Sequence, residues 1–80
     1  MNKEQRLAYE GLVIKSLKTG KKDFSSLATD VYLKLLEKDK GIQGKVVKSN
    51  LSTDILLKMI NDGKIKFDEG IYELPQEVIL

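Results

Sequence analysis

The chain has 80 residues, 41% hydrophobic and 32% charged, with 14 Lys and Arg against 12 Asp and Glu for a net charge of +2. That balance fits one ordinary globular domain near the lower size limit for a self-sufficient core, and excludes a disordered chain. With no Cys and no His, disulfide frameworks, Cys/His zinc clusters, thiol nucleophiles and histidine general bases are all excluded.

The first helix is expected over about residues 3–19. Leu7, Gly11, Ile14 and Leu17–Lys18 recur at spacings of three and four, and Leu12 and Val13 widen the apolar face. Tyr9 falls toward the exposed side of this pattern. Thr19-Gly20 stops the helix, since glycine adopts the conformation that follows a last turn. A second helix is expected over 24–38, capped by Asp23 or Ser25. Its buried stripe is Leu27, Ala28, Val31, Tyr32, Leu35 and Leu36, with Phe24 placed to fold back as a staple. Asp39-Lys40-Gly41 ends it.

Residues 41–51 admit three readings: a short helix of their own, the first turns of the third helix, or a turn with a brief extended piece. Ser49, Asn50 and Ser52 are all capable caps. Ser52 has one added argument, because Leu51 before it could staple onto Leu56. A third helix is expected over 52–61, where Ile55, Leu56, Met59 and Ile60 form the apolar face and Asn61-Asp62-Gly63 the stop.

After Gly63 the period drops to two, which marks a hairpin over about 64–74. With Phe67 opposite Ile71, the loop is the three residues Asp68-Glu69-Gly70, the glycine supplying the left-handed position. Ile65, Phe67, Tyr72 and Leu74 then lie mostly on one face, toward the helices. Pro75 ends the second strand because it has no N–H for the ladder. An apolar tail, Val78-Ile79-Leu80 within residues 76–80, either docks on the body or meets a second chain.

The order helix, helix, helix, hairpin, with the pattern Leu56-x-x-Met59-x-x-x-Gly63-x-Ile65 and then Tyr72-x-Leu74, resembles the bacterial and archaeal winged helix-turn-helix family of DNA-binding domains. Element order carries the resemblance over nearly the whole chain, and the motif carries it from Leu56 to Leu74. It implies a mainly α fold with a small β-hairpin, three main helices followed by a two-stranded antiparallel wing. It also implies that the third helix enters a major groove, buttressed by the second, while the wing touches the backbone or minor groove. Carried over by position, the outward residues of that helix and its approach are Lys45, Lys48, Ser49, Asn50, Ser52, Thr53 and Lys58. Asparagine can pair with adenine, and serine and threonine with bases or phosphates. As ordinary protein chemistry, the same Ser and Asn residues serve as helix caps.

Charge is distributed unevenly. Residues 15–22 hold four lysines (15, 18, 21, 22) and no acid, and residues 40–58 hold four (40, 45, 48, 58) against one aspartate. Lys21 and Lys22 in the helix 1–2 turn therefore join the expected phosphate contacts. Lysine runs also serve simply to solvate loops.

Two functions follow. The first is a small DNA-binding protein, a transcriptional regulator or accessory factor on duplex DNA. A dimer would supply useful affinity, with the first helix and the apolar tail as its faces. The second is a winged-helix interaction module, a phage- or plasmid-type adaptor or inhibitor, meeting a protein partner through Asp68, Glu69 and Glu73. It is motivated by the acidic wing and by the single arginine, Arg6, lying on the first helix rather than the third.

An enzyme is not expected. No Asp/Glu pair suggests an acid and base, and Gly41-Ile42-Gln43-Gly44-Lys45 lacks the spacing of a phosphate loop. No cofactor or metal is implied. No apolar run approaches the ~20 residues of a membrane span, and Met1-Asn2-Lys3-Glu4 does not begin a signal peptide, so a cytoplasmic setting and no membrane partner are expected.

Overall fold

The computed structural model describes residues 1–75; the apolar tail at 76–80 lies outside the described residues. The fold is mainly helical, with a small three-stranded antiparallel sheet. Helix α1 (Lys3–Leu17) leads through strand β1 (Lys22–Asp23) directly into α2 (Phe24–Lys38). A third helical segment follows in three parts: α3 (Gly44–Asn50), a π-helical turn over Leu51–Ile55, and α4 (Leu56–Asn61). Strands β2 (Lys66–Asp68) and β3 (Ile71–Glu73) close the described chain.

Each regular helix has a local reason for its ends. Asn2 caps α1: its Oδ1 accepts from the Gln5 N–H at 2.8 Å, and Gln5 Oε1 accepts from the Asn2 N–H at 3.2 Å. That reciprocal pair satisfies two donors the first turn would otherwise orphan. The helix stops at Leu17, two residues before the expected end, and Gly20 follows at φ +137°. Asp23 caps α2, its Oδ1 accepting from the Ser26 N–H at 2.8 Å. Helix α4 ends in paired bonds characteristic of a glycine cap: Gly63 N–H to Ile60 O at 3.0 Å and Lys64 N–H to Met59 O at 2.8 Å, with Gly63 at φ +76°.

The core is one cluster. Tyr9, Val13 and Leu17 from α1 and Leu27, Ala28 and Val31 from α2 meet Val47, Leu51, Ile55, Leu56 and Met59 of the third segment, with Ile65 beneath the hairpin. Phe24, Tyr32, Leu35, Ile42, Tyr72 and Leu74 pack around it. The α1 pattern rotates from expectation: Leu7 is 53% exposed, whereas Tyr9 is only 6% exposed. Tyr9 turns inward because its hydroxyl finds a partner there, accepting from Asn50 Nδ2 at 3.0 Å.

Three further expectations are corrected. The third helical segment begins at Gly44, eight residues before the expected start, so residues 44–51 are its first turns and no serine caps it. Ser52 instead donates its hydroxyl to Ser49 O at 3.2 Å from within the π-turn, and buried Leu51 belongs to the core rather than to a staple. The sheet has three strands, because Lys22 and Asp23 pair with Tyr72 and Ile71 in the order β1-β3-β2. Finally, Phe67 faces Tyr72 and Asp68 faces Ile71, so the hairpin loop is Glu69-Gly70 alone. Both loop residues have positive φ, +49° and +81°, the twist of a two-residue type I′ turn.

The π-turn follows from the sequence. Val47, Leu51, Ile55 and Met59 recur at strict intervals of four. An α-helix advances about 40° past a full turn every four residues, so this stripe would drift ~120° off the core. The wider turn, closed by Leu56 N–H to Leu51 O, absorbs the drift, and all four side chains are fully buried. Such turns insert one extra residue into a helix.

Candidate functional site

The face of the third segment turned away from the core is polar and basic at its start. Lys45, Lys48, Ser49 and Ser52 fall on one stripe at helical spacing, and all are exposed. Lys45 and Lys48 make no ion pair among the described residues, so their ammonium groups are available to an anionic partner. Thr53 is exposed beside them, its Oγ1 donating to Ser49 O at 2.8 Å. Because Ser52 and Thr53 spend their protons on that carbonyl, they present lone pairs outward and act as acceptors. Ser49 and the two lysines remain the donors of the stripe.

The other expected residues are placed differently. Asn50 is half-buried, its amide donating to Tyr9 Oη, so it fixes α1 against α3 instead of facing outward. Lys58 lies farther along on α4 and pairs with Asp62 at 3.7 Å, one turn away. Lys21 is exposed. Lys22 is drawn onto the end of α1: its Nζ donates to Ser16 O at 2.8 Å and to Thr19 Oγ1 at 2.5 Å, and lies 3.5 Å from Asp30. It neutralises the negative end of the helix dipole and satisfies a terminal carbonyl. Ser16 adds a 2.6 Å hydroxyl bond to Asp30 Oδ2. The lysine-rich turn is stitched through β1 to β3 of the hairpin, with Lys22 opposite Tyr72.

The hairpin is polarised along its length. Asp68 and Glu69 stand exposed at its tip. At its base Lys64 bonds Glu10 Oε1 at 2.8 Å, tying the hairpin to α1 through a carboxylate that is 9% exposed. The bond and the charge of Glu10 hold the Lys64 ammonium above its usual range. On the sheet, Phe67 and Tyr72 stack obliquely at 4.6 Å between ring centroids. Tyr72 packs on the core, and burial raises its hydroxyl above the ordinary value, whereas Phe67 is 49% exposed. On the outer side of α4, Leu57 is 61% exposed.

The sequence reading did not foresee Tyr9–Asn50, Glu10–Lys64 or Ser16–Asp30–Lys22. The first two join residues 41 and 54 positions apart, for which helix periodicity carries no signal. A lysine shortly after a helix end is a general hint of carbonyl capping, and Lys22, expected at a phosphate, is such a lysine. Among the described residues no helix is long and apolar enough to cross a membrane. Comparison with protein-family models, curated proteins and solved structures returns no match.

Proposed function

We propose that the chain is a small winged-helix protein that binds duplex DNA through the exposed face of its third helical segment, as a regulator or accessory factor. The observation that carries this reading is topological. The order α1-β1-α2-α3/α4-β2-β3, with β3 between β1 and β2, supports it, since a winged helix whose first short strand joins the wing sheet would run in the same order. Such an arrangement sets one helix and one hairpin on a common body.

The chemistry supports the same reading. A helix about 10–12 Å across fits a major groove about 12 Å wide. Lys45 and Lys48 on the first turns of the segment would contact phosphates, with Ser49, Ser52 and Thr53, farther along it, at base edges. Ser52 and Thr53, as acceptors in this conformation, favour donors such as the cytosine amino group. No arginine stands on this face, so affinity comes mainly from phosphate contacts and discrimination between sequences is modest. The action is occupancy of a site, by occlusion or recruitment, with no covalent step.

Anisotropy of a fluorescent duplex pool, titrated at increasing salt, tests the proposal. With Lys45 and Lys48 at phosphates and exposed Lys21 as a third contact, log K should fall with log salt at a slope of about −2 to −3. Lys45→Glu with Lys48→Glu should remove binding, and Asp68→Lys should not weaken it. Absence of binding at low salt would overturn the reading.

A second reading has its own support: Leu57 and Phe67 leave apolar surface in water on the helix and hairpin, which a DNA backbone does not reward. In that case the wing, with Asp68, Glu69 and Glu73, meets a protein. Loss of partner binding in Phe67→Ser and Asp68→Lys, with lysine reversals silent, would select it.

A further inference from the structure

A second surface lies between α1 and α2. Two adjoining hollows of about 410 and 350 Å³ share Leu12, Lys15 and Lys34 in their walls and form one open groove. Its apolar surface includes Leu7 and Leu33, each 53% exposed, with half-buried Leu12 between them. Isolated exposed leucines are ordinary, but these border the same groove. Along α1 it reaches from Leu7 to Ser16, about 14 Å at the helical rise, the length of roughly nine helical residues, and Thr19 closes it beyond the helix end.

The rim is basic. Lys15, Lys34 and Lys38 line it against one uncommitted acid, Glu37; Asp30 is engaged by Ser16 and Lys22. The groove lies on the α1 flank of α2, whereas Ala28, Thr29 and Tyr32 face Gly44 and Lys48 on the other flank; Leu33 stands on the crest and borders both hollows. Lys15 therefore belongs to this groove and not to the face of the third segment.

We propose that this groove binds an acidic amphipathic helix of a partner protein. Apolar residues at i, i+3, i+4 and i+7 would cover the leucines, and flanking carboxylates would meet the three lysines. Charge selects this occupant over the alternatives. A second copy presenting the same groove would set basic rims against each other, and the leucines offer nothing to a phosphate backbone. A flat anionic lipid surface does not reach a concave floor. An occupant here leaves Lys45 and Lys48 uncovered, so the chain could hold DNA and a partner together; the groove's own chemistry does not depend on the DNA reading.

The test uses the full chain and two synthetic amphipathic peptides with identical leucines, one flanked by glutamates and one by lysines. Amide chemical-shift titration should place the acidic peptide at Leu7, Leu12 and Leu33, at least tenfold tighter than the basic one. Leu33→Asp, at an exposed position, should abolish binding with the spectrum otherwise retained. Reversing the rim (Lys15→Glu, Lys34→Glu, Lys38→Glu) should invert the preference between peptides, which a folding defect cannot do. Equal binding of both peptides, shifts elsewhere, or no binding at millimolar peptide would overturn the proposal. So would self-association in sedimentation that Leu33→Asp dissolves, or displacement of the acidic peptide by anionic vesicles or duplex DNA. Leu7→Asp, at an exposed groove position that borders only the α1 side, should also abolish peptide binding while its duplex binding matches the parent, so failure of the groove and failure of the DNA reading are separable.

Discussion

Helix α2 and the third helical segment are similar in length and opposite in construction. Helix α2 is regular: Asp23 caps it, and its buried stripe keeps to three- and four-residue spacings. The third segment starts from Gln43 with no side-chain cap, carries its apolar residues at strict fours, and needs a π-turn to keep them inside. The regular helix depends on its register at every position, whereas the irregular one contains a residue it could lose. That tolerance lies between its basic start and its glycine-capped end, in the stretch where Ser52 and Thr53 are exposed.

Single-residue deletions should break this comparison most sharply. Removing exposed Thr29 from α2 rotates everything beyond it by about 100°, taking Val31 and Leu35 off the core, and should abolish cooperative unfolding altogether. Removing Thr53 should leave a folded protein. It brings Ile55, Leu56 and Met59 to positions 7, 8 and 11 after Val47, ordinary α spacing. Thermal melts and helical circular dichroism of the two variants settle the matter. Equal damage from both would contradict the extra-residue account.

Core truncations should be smaller and should not distinguish the segments. Leu27→Ala in α2 and Ile55→Ala in the π-turn both remove fully buried side chains and should each cost about 2–5 kcal/mol in chemical denaturation. A loss at Ile55 well below that range would show that the π-turn packs loosely. Tyr9→Phe deletes the bond from Asn50 between α1 and α3, and should cost about 0.5–1.5 kcal/mol.

The ends of the molecule give pH-dependent effects of opposite sign. Asp23 is held below its ordinary value of 3.8 by the Ser26 backbone N–H, with the Ser26 side chain adding to it. Its contribution to α2 is therefore complete above the unfolded value and lost as pH falls through the lower folded one. Asp23→Ser keeps a cap without the charge and should flatten the acid limb of the stability profile. Lys64 is raised above 10.5 by Glu10, so its contribution is complete below that value and lost as pH rises through the folded one. Lys64→Met should remove that alkaline dependence. The smallest effect belongs to the hairpin turn, where Glu69 occupies φ +49°. Asn-Gly is the favoured pair for this turn, and Glu69→Asn should stabilise by a few tenths of a kcal/mol, about the scale of such backbone effects.

Legibility in the sequence followed the same division. Helix α2 is readable from Asp23 and the Leu27–Leu35 stripe, because period and cap agree there; α1 is readable in extent from Gly20 but not in its buried face, where Tyr9 rather than Leu7 turns inward. The hairpin was readable from Ile65, Gly70 and Tyr72, but its register slipped by one residue, since two- and three-residue loops both accept a glycine last. Strand β1 was invisible: Lys22 and Asp23 carry no strand pattern and pair only because β3 lies beside them. The start of the third segment stays open among three readings in the sequence, of which the first turns of the third helix is the one found, because Gly44 is a poor helix former and fours do not match the α period. Within the candidate site, exposure of Lys45, Lys48, Ser49, Ser52 and Thr53 followed once the helix was placed. The inward turn of Asn50 depends on distant Tyr9, whereas Lys22 is captured by its own neighbourhood, Ser16 and Thr19 at the end of α1.

The most direct measurement is an amide chemical-shift map of the full chain titrated with a short duplex selected from the pool. The account expects the largest shifts over residues 44–53, with smaller ones in the hairpin, and none after Lys45→Glu with Lys48→Glu. Shifts confined to residues 67–71 at the hairpin tip, or to the α1–α2 groove, would contradict it.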